Sequence, residues 1–167
     1  MSVPRIGPME ITVDYLAHYP HLADELARWS WNEWRSIYEE RGQTFEHALK
    51  NYRERRNTDC LPLAIVALLN DELIGTVSLK FNDLDTRPNL DPWLGGVFVI
   101  PSWRGRGVAS LLMQRAVEAA ARLKLTKLYL WTSSAEGLYQ KLGWQVVERS
   151  EYCGKKIVIM AIDPKTS

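Results

Sequence analysis

The stretch from residue 94 to residue 131 constrains the fold of this chain more than any other. It opens on a β-rich run, Leu94-Gly-Gly-Val-Phe-Val-Ile100, which Pro101 stops. A glycine turn follows, Arg104-Gly105-Arg106-Gly107. Val108, Leu111, Leu112, Ala116, Ala119, Ala120 and Leu123 then recur at helical spacing, and residues 128–131 return to a short apolar strand. Strand, helix and strand in succession form a crossover unit, so the two strands are expected to be parallel neighbours.

The flanking segments predict antiparallel pairs around that unit. Residues 61–69 read as a buried strand, Asn70-Asp71 as its turn and residues 72–81 as an alternating partner. Residues 144–148 and 157–162 read as strands joined through the turn Cys153-Gly154, and residues 134–142 as a short helix that Gly143 ends. Upstream, residues 9–13 alternate weakly as a first strand, and Pro20 opens an amphipathic helix running through Leu22, Leu26 and Trp29 towards Trp34. Thr44 caps a second helix through Phe45, Ala48, Leu49 and Tyr52, with the charged residues 53–56 read as a solvated face. The expectation is an α/β fold: one domain over residues 1–167, a mixed and mostly antiparallel sheet, and helices on both faces. No internal repeat or low-complexity tract interrupts it.

A formal net charge of +1 on 167 residues excludes a global field for coating nucleic acid or an anionic membrane, so any anion site must be a local arrangement of donors. Cys60 and Cys153 lack C-x-x-C spacing, and His18, His21 and His47 form no metal-type pattern with carboxylates, so neither a disulfide framework nor a metal is expected. The first residues lack a basic-then-apolar secretory pattern, and no run of about 18 apolar residues exists to span a bilayer. A cytoplasmic protein without membrane or nucleic-acid partners is the expectation.

The glycine turn supplies the local arrangement. A helix begins with backbone N–H groups that lack intrahelical partners and carries a partial positive charge at that end. Gly105 and Gly107 allow close backbone approach, and Arg104 and Arg106 add charged donors. A Walker loop is weakly supported because no Lys-Ser or Lys-Thr follows, and so is a dinucleotide turn, because Ser110 stands where its third glycine belongs and no acidic residue ends a following strand at the right distance. A glycine-rich helix start that binds nothing is the bland alternative.

Arg104-Gly105-Arg106-Gly107-Val108-Ala109 fits the R/Q-x-x-G-x-G/A signature of the GCN5-related N-acetyltransferases (GNAT), and residues 61–162 resemble that family in the order of their elements. The resemblance implies acetyl-CoA as acyl donor. Backbone amides of Gly105, Arg106, Gly107, Val108, Ala109 and Ser110 would hold its pyrophosphate, and edge-exposed backbone of Val97, Phe98 and Val99 would pair with its pantetheine arm as a further strand. Gly95-Gly96 in the strand suggests a bulge that parts it from residues 128–131. By the same resemblance residues 1–58 form the acceptor side and residues 61–162 the sheet and cofactor side.

Downstream, Ser133 and Glu136 read as a capping box, which makes Glu136 a cap and not a base. Ala135, Leu138, Tyr139 and Leu142 share a face. The family commonly has N-x-x-A-x-x-x-Y here, with the tyrosine protonating the departing thiolate. Tyr139 matches it, and Thr132 stands in place of the asparagine. Direct transfer needs a neutral amine: a lysine-like amine costs about 4–5 kcal/mol to neutralise at pH 7, a terminal α-amine only about 1. No glutamate lies within residues 97–99, where some members of that family place a base; Asp91, just ahead of Trp93, is either the base or a loop aspartate beside Pro92, with Asp83 and Asp85 adding acidity to the same loop. A strand amide at Val97 or Val99 would polarise the thioester carbonyl. Trp29, Trp31 and Trp34 are expected to wall the acceptor pocket in part, and an exposed one among them would mark an interface such as that of a dimer. The acceptor is a small-molecule amine or a peptide. The rival reading is a binding module that holds an acyl-CoA without catalysis.

Overall fold

The computed structural model describes residues 10–166. Seven strands form one sheet in the order β1-β2-β3-β4-β5-β7-β6. They are β1 (Ile11–Tyr15), β2 (Leu63–Leu69), β3 (Glu72–Lys80), β4 (Trp93–Val99), β5 (Leu128–Thr132), β6 (Gln145–Tyr152) and β7 (Lys155–Ile162). Every pairing is antiparallel except β4 with β5, as the crossover requires. The helices are α1 (Ala23–Glu40), α2 (Phe45–Glu54), α3 (Val108–Arg122) and α4 (Glu136–Lys141). The first strand lies two residues later than its alternation suggests, and Met9 falls outside the described residues.

Period-two burial assigns the two faces of the sheet. Ala64, Val66 and Leu68 of β2 pack under α1 and α2, meeting Leu26, Ala27, Ala48 and Tyr52. Leu63, Ile65 and Ala67 turn the other way and meet α3 through Leu112, Met113 and Ala116. Because both faces are covered, β2 reads as a continuous apolar run instead of an alternating one. Both hairpin turns adopt left-handed backbone at their two central positions, Asn70-Asp71 (φ 50° and 66°) and Cys153-Gly154 (49° and 76°), which matches the twist of the strands they join.

Two departures from regularity shape the space between the layers. Helix α1 is interrupted at Trp34 (φ −116°, ψ 26°), so its second half runs in a new direction. At the far end of that half, Arg41 ties α1 to the sheet and to the loop before β4. Its Nε donates to Tyr152 Oη and its Nη2 to the Asp83 carbonyl, both at 2.8 Å.

Candidate active site

The parallel pair β4–β5 is joined at one point. Trp93 faces Tyr129 in register, and the Tyr129 amide donates to the Pro92 carbonyl at 3.0 Å. Beyond it β5 continues along β7 as far as Thr132, while β4 follows β3. The cause is a bulge: Thr76 pairs with Phe98 and Ser78 with Gly95, so two β4 residues stand against one on β3. Gly96 carries the bend at φ +62°, and a Cβ there would meet Tyr52 Oη at 3.2 Å. Only glycine meets both demands without strain.

The direction of the backbone groups along β4 follows from one hydrogen bond. The Ile100 amide donates to the Ile74 carbonyl at 2.9 Å, and amides alternate sides along a strand. Phe98 therefore points its amide at β3, while Val97 and Val99 point theirs into the slot. The expectation for Phe98 is corrected accordingly: its backbone is committed to β3, and its ring packs 5.2 Å from Trp29.

At the top of the slot lies a hollow of about 240 Å³ lined by Val99, Trp103, Arg104, Gly105, Gly107, Val108, Ala109, Ser110 and Leu138. Gly105 and Gly107 are left-handed (φ 73° and 82°), and Gly107 is the N-cap of α3. The first helical backbone bond is Leu111 to the Gly107 carbonyl, and the amides of residues 105–110 take no backbone partner in turns or caps among the described residues. These are free donors at a helix dipole, a fit for an anion. Of the two arginines, Arg104 lines the hollow and Arg106 does not. Arg104 donates its Nε to the Val99 carbonyl at 2.9 Å, and Arg106 stacks on Trp103 at 4.8 Å, away from the hollow's lining.

A cavity of about 720 Å³ extends from Gly95, Gly96 and Val97 past Trp131, Thr132 and Tyr139 to α1 and α2. Val97, Thr132 and Tyr139 all line it. Burial pushes the Tyr139 phenol up from 10, so it holds its proton throughout neutral pH. The buried Trp131 Nε1 on the same wall lacks a hydrogen-bond partner among the described residues. Thr132 Oγ1 accepts the amides of Ser134 (3.2 Å) and Ala135 (3.0 Å). Thr132 thus fixes the turn that leads into α4, whose N-cap Ala135 has no side-chain cap, so the expected Ser133–Glu136 box does not form and Glu136 instead pairs with Arg149 at 2.7 Å.

Asp91 does not reach this cavity. It is exposed, and its Oδ1 accepts the Asn82 amide at 2.8 Å, holding the base of the loop. The carboxylate on the wall beside the bulge is Asp83, paired with Lys80 at 2.5 Å, with side chains 12% and 19% exposed. A Cβ on Gly95 would lie 2.9 Å from both Asp83 Oδ2 and Lys80 Cε, which places the pair against the bulge. Burial pushes the Lys80 ammonium below 10.5; Asp83 opposes the shift, and Arg55 and Arg41 add to it.

Of Trp29, Trp31 and Trp34, only Trp34 lines the cavity; Trp31 packs 5.5 Å from Tyr38, and none of the three is exposed. The reading of residues 53–56 as a solvated face also needs correction. Arg53 is exposed and pairs with Asp24, but Arg55 is buried and lines the cavity. Ala48, Tyr52 and Arg55 stand at helical spacing of four and three, which is the sequence signal for its inward side. Lys80 has an equivalent signal: with Thr76 and Ser78 it forms a polar period-two stripe on a buried strand.

Among the described residues no helix is long and apolar enough to cross a membrane, and no group of three His, Cys, Asp or Glu is placed to hold a metal. Residues 23–144 match the model of the acetyltransferase (GNAT) family. No curated protein sequence matches the chain. Similar solved structures include yncA from Salmonella typhimurium with its cofactor acetyl-CoA (17% identity, TM-score 0.69, covering 92% of this chain and 94% of that one). The PaiA N-acetyltransferase from Thermoplasma acidophilum in complex with coenzyme A is 17% identical, with TM-score 0.61 and coverage of 93% and 99%. A spermidine N-acetyltransferase SpeG chimera from Vibrio cholerae and hSSAT is 20% identical, with TM-score 0.65 and coverage of 93% and 96%. At these identities the likeness is one of fold.

Proposed function

The chain belongs to the GNAT acetyltransferase family, and from that premise we propose that it is an acetyl-CoA-dependent N-acetyltransferase acting on a primary amine by direct attack. The observation that carries this reading is the divergence of β4 from β5, which leaves slot-facing amides between an anion hollow and a wide cavity. In this reading residues 61–162 hold the donor and residues 1–58 wall the acceptor within one cytoplasmic domain, 1–167.

Bound acetyl-CoA supplies a thioester carbonyl carbon as electrophile and a thiol as leaving group. The amides of residues 105–110 hold the diphosphate, with Arg104 closing the slot's end through the Val99 carbonyl. The Val97 and Val99 amides pair with the pantetheine arm and polarise the carbonyl. As the C–N bond forms and the C–S bond breaks, the electron pair leaves with sulfur and Tyr139 gives it the phenol proton. The Asp83 carboxylate, held beside the bulge by Lys80, takes the proton lost by the amine.

The test is free-thiol release from acetyl-CoA across a panel of amines. Tyr139→Phe is expected to lower kcat by roughly 10²-fold or more while the affinity for acetyl-CoA stays near wild type. Undiminished turnover in that variant removes Tyr139 from the chemistry. Bound acetyl-CoA with no thiol released from any amine favours the non-catalytic binding module instead.

A further inference from the structure

Arg55 ends α2 with its side chain turned inward, 6% exposed, and its guanidinium 4.4 Å from the centre of the Tyr52 ring. Its Nη1 donates to Ser78 Oγ at 3.1 Å. Among the described residues it forms no ion pair, although Arg53 two positions earlier reaches Asp24 at 2.9 Å. A guanidinium offers five N–H donors in a planar fork, and here one has a protein acceptor. The remaining donors stand beside the bulge, since Nη1 lies 3.9 Å from the position a Cβ would take on Gly96.

The surrounding charges do not compensate it. Lys80 is matched by Asp83, and Arg41 spends its donors on Tyr152 and the Asp83 carbonyl. The other acids on the cavity wall, Glu33 and Glu54, are exposed, and Glu54 already faces Lys50 at 3.8 Å. A buried cation without a counter-ion is costly to keep, and its cost is offset when a ligand anion completes it.

We infer that the acceptor is a primary amine with a carboxylate next to its amino group, an α-amino acid, and that Arg55 holds the carboxylate. Only the α-carbon separates the two groups of such a molecule, so a carboxylate seated on Arg55 keeps the amine at the bulge. A polyamine would instead bring further positive charge towards Arg55, Lys80 and Arg41. This inference rests on the transferase reading above, and its test separates the two.

Thiol release is measured with α-amino acids, their decarboxylated amines and spermidine. In parallel, calorimetry follows binding of N-acetylated α-amino acids to the coenzyme A-saturated protein, which requires no turnover. α-Amino acids are expected to be the preferred acceptors. Arg55→Gln should raise their KM about tenfold to a hundredfold, the factor of a hydrogen bond to a charged group, and weaken N-acetyl amino acid binding equally, with acetyl-CoA affinity unchanged. Arg55→Lys keeps the charge without the fork, so it should recover part of the loss and carries the test if the glutamine variant fails to fold. Turnover of spermidine or the decarboxylated amines at equal or lower KM overturns the inference and leaves the transferase reading standing. So does an unchanged amino acid KM in both Arg55 variants. Binding of N-acetyl amino acids that is lost in Arg55→Gln, without thiol release from any amine, overturns the transferase reading and keeps the carboxylate site. Neither binding nor turnover overturns both.

Discussion

Replacing Gly96 with alanine perturbs the bulge on which the slot depends. At φ +62° an L-residue costs about 1–2 kcal/mol relative to glycine. The new Cβ also presses on Tyr52 Oη at 3.2 Å, and Tyr52 is 1% exposed, so the ring has nowhere to withdraw. The two effects together give a destabilisation of about 2 kcal/mol, which for a chain of this size lowers the melting temperature by roughly 4–8 °C. Gly137 serves as the control. It lies inside α4 without a positive φ, and a Cβ there meets nothing within 4 Å, so Gly137→Ala should stabilise by about 0.5–1 kcal/mol. Both variants are compared by thermal unfolding with and without acetyl-CoA, and the rise produced by the ligand should shrink in Gly96→Ala as the strand straightens into the slot. A Gly96→Ala melting temperature equal to wild type would refute the claim that this bend is held against steric resistance.

Asp91→Ala should leave the kcat for a good acceptor nearly unchanged while unfolding about 1 kcal/mol more easily, because the carboxylate supports the Asn82 amide and lies outside the cavity; steady-state kinetics and urea unfolding check both halves. Burial pushes the Tyr152 phenol up to about 12 against the opposing pull of Arg41. A folded value above the unfolded value near 10 gives stability that is complete below pH 10 and lost as pH rises through about 12. Urea unfolding between those limits should therefore weaken more steeply with pH in wild type than in Tyr152→Phe. Leu112→Ala, at a fully buried α3 position facing the sheet, should cost about 2–5 kcal/mol by chemical denaturation.

What the sequence discloses here is local. The Asn70-Asp71 turn, the helix of the crossover and the left-handed glycines at 105 and 107 each depend on neighbours a few positions away, and turn chemistry and periodicity report them directly. The acceptor side depends on distant contacts. Arg55 meets Ser78 across 23 positions, Arg41 meets Tyr152 across 111, and the bend at Gly96 is fitted to Tyr52 from another layer. A charge run reads as solvent-facing because three of its four members, residues 53, 54 and 56, are exposed; only the helical phase of Tyr52 singles out the fourth. Asp91 is the converse case. An acid ahead of β4 has the right position in the chain for a base, yet its carboxylate is taken by a loop amide, which no spacing rule reports.

Backbone amide chemical shifts recorded while coenzyme A is titrated into the protein test the central claim most directly. The account predicts the largest changes at residues 105–110 and at Val97 and Val99, with Phe98, whose amide faces β3, changing least along that strand. Saturable binding that leaves the amides of 105–110 and the slot-facing pair unmoved would contradict it.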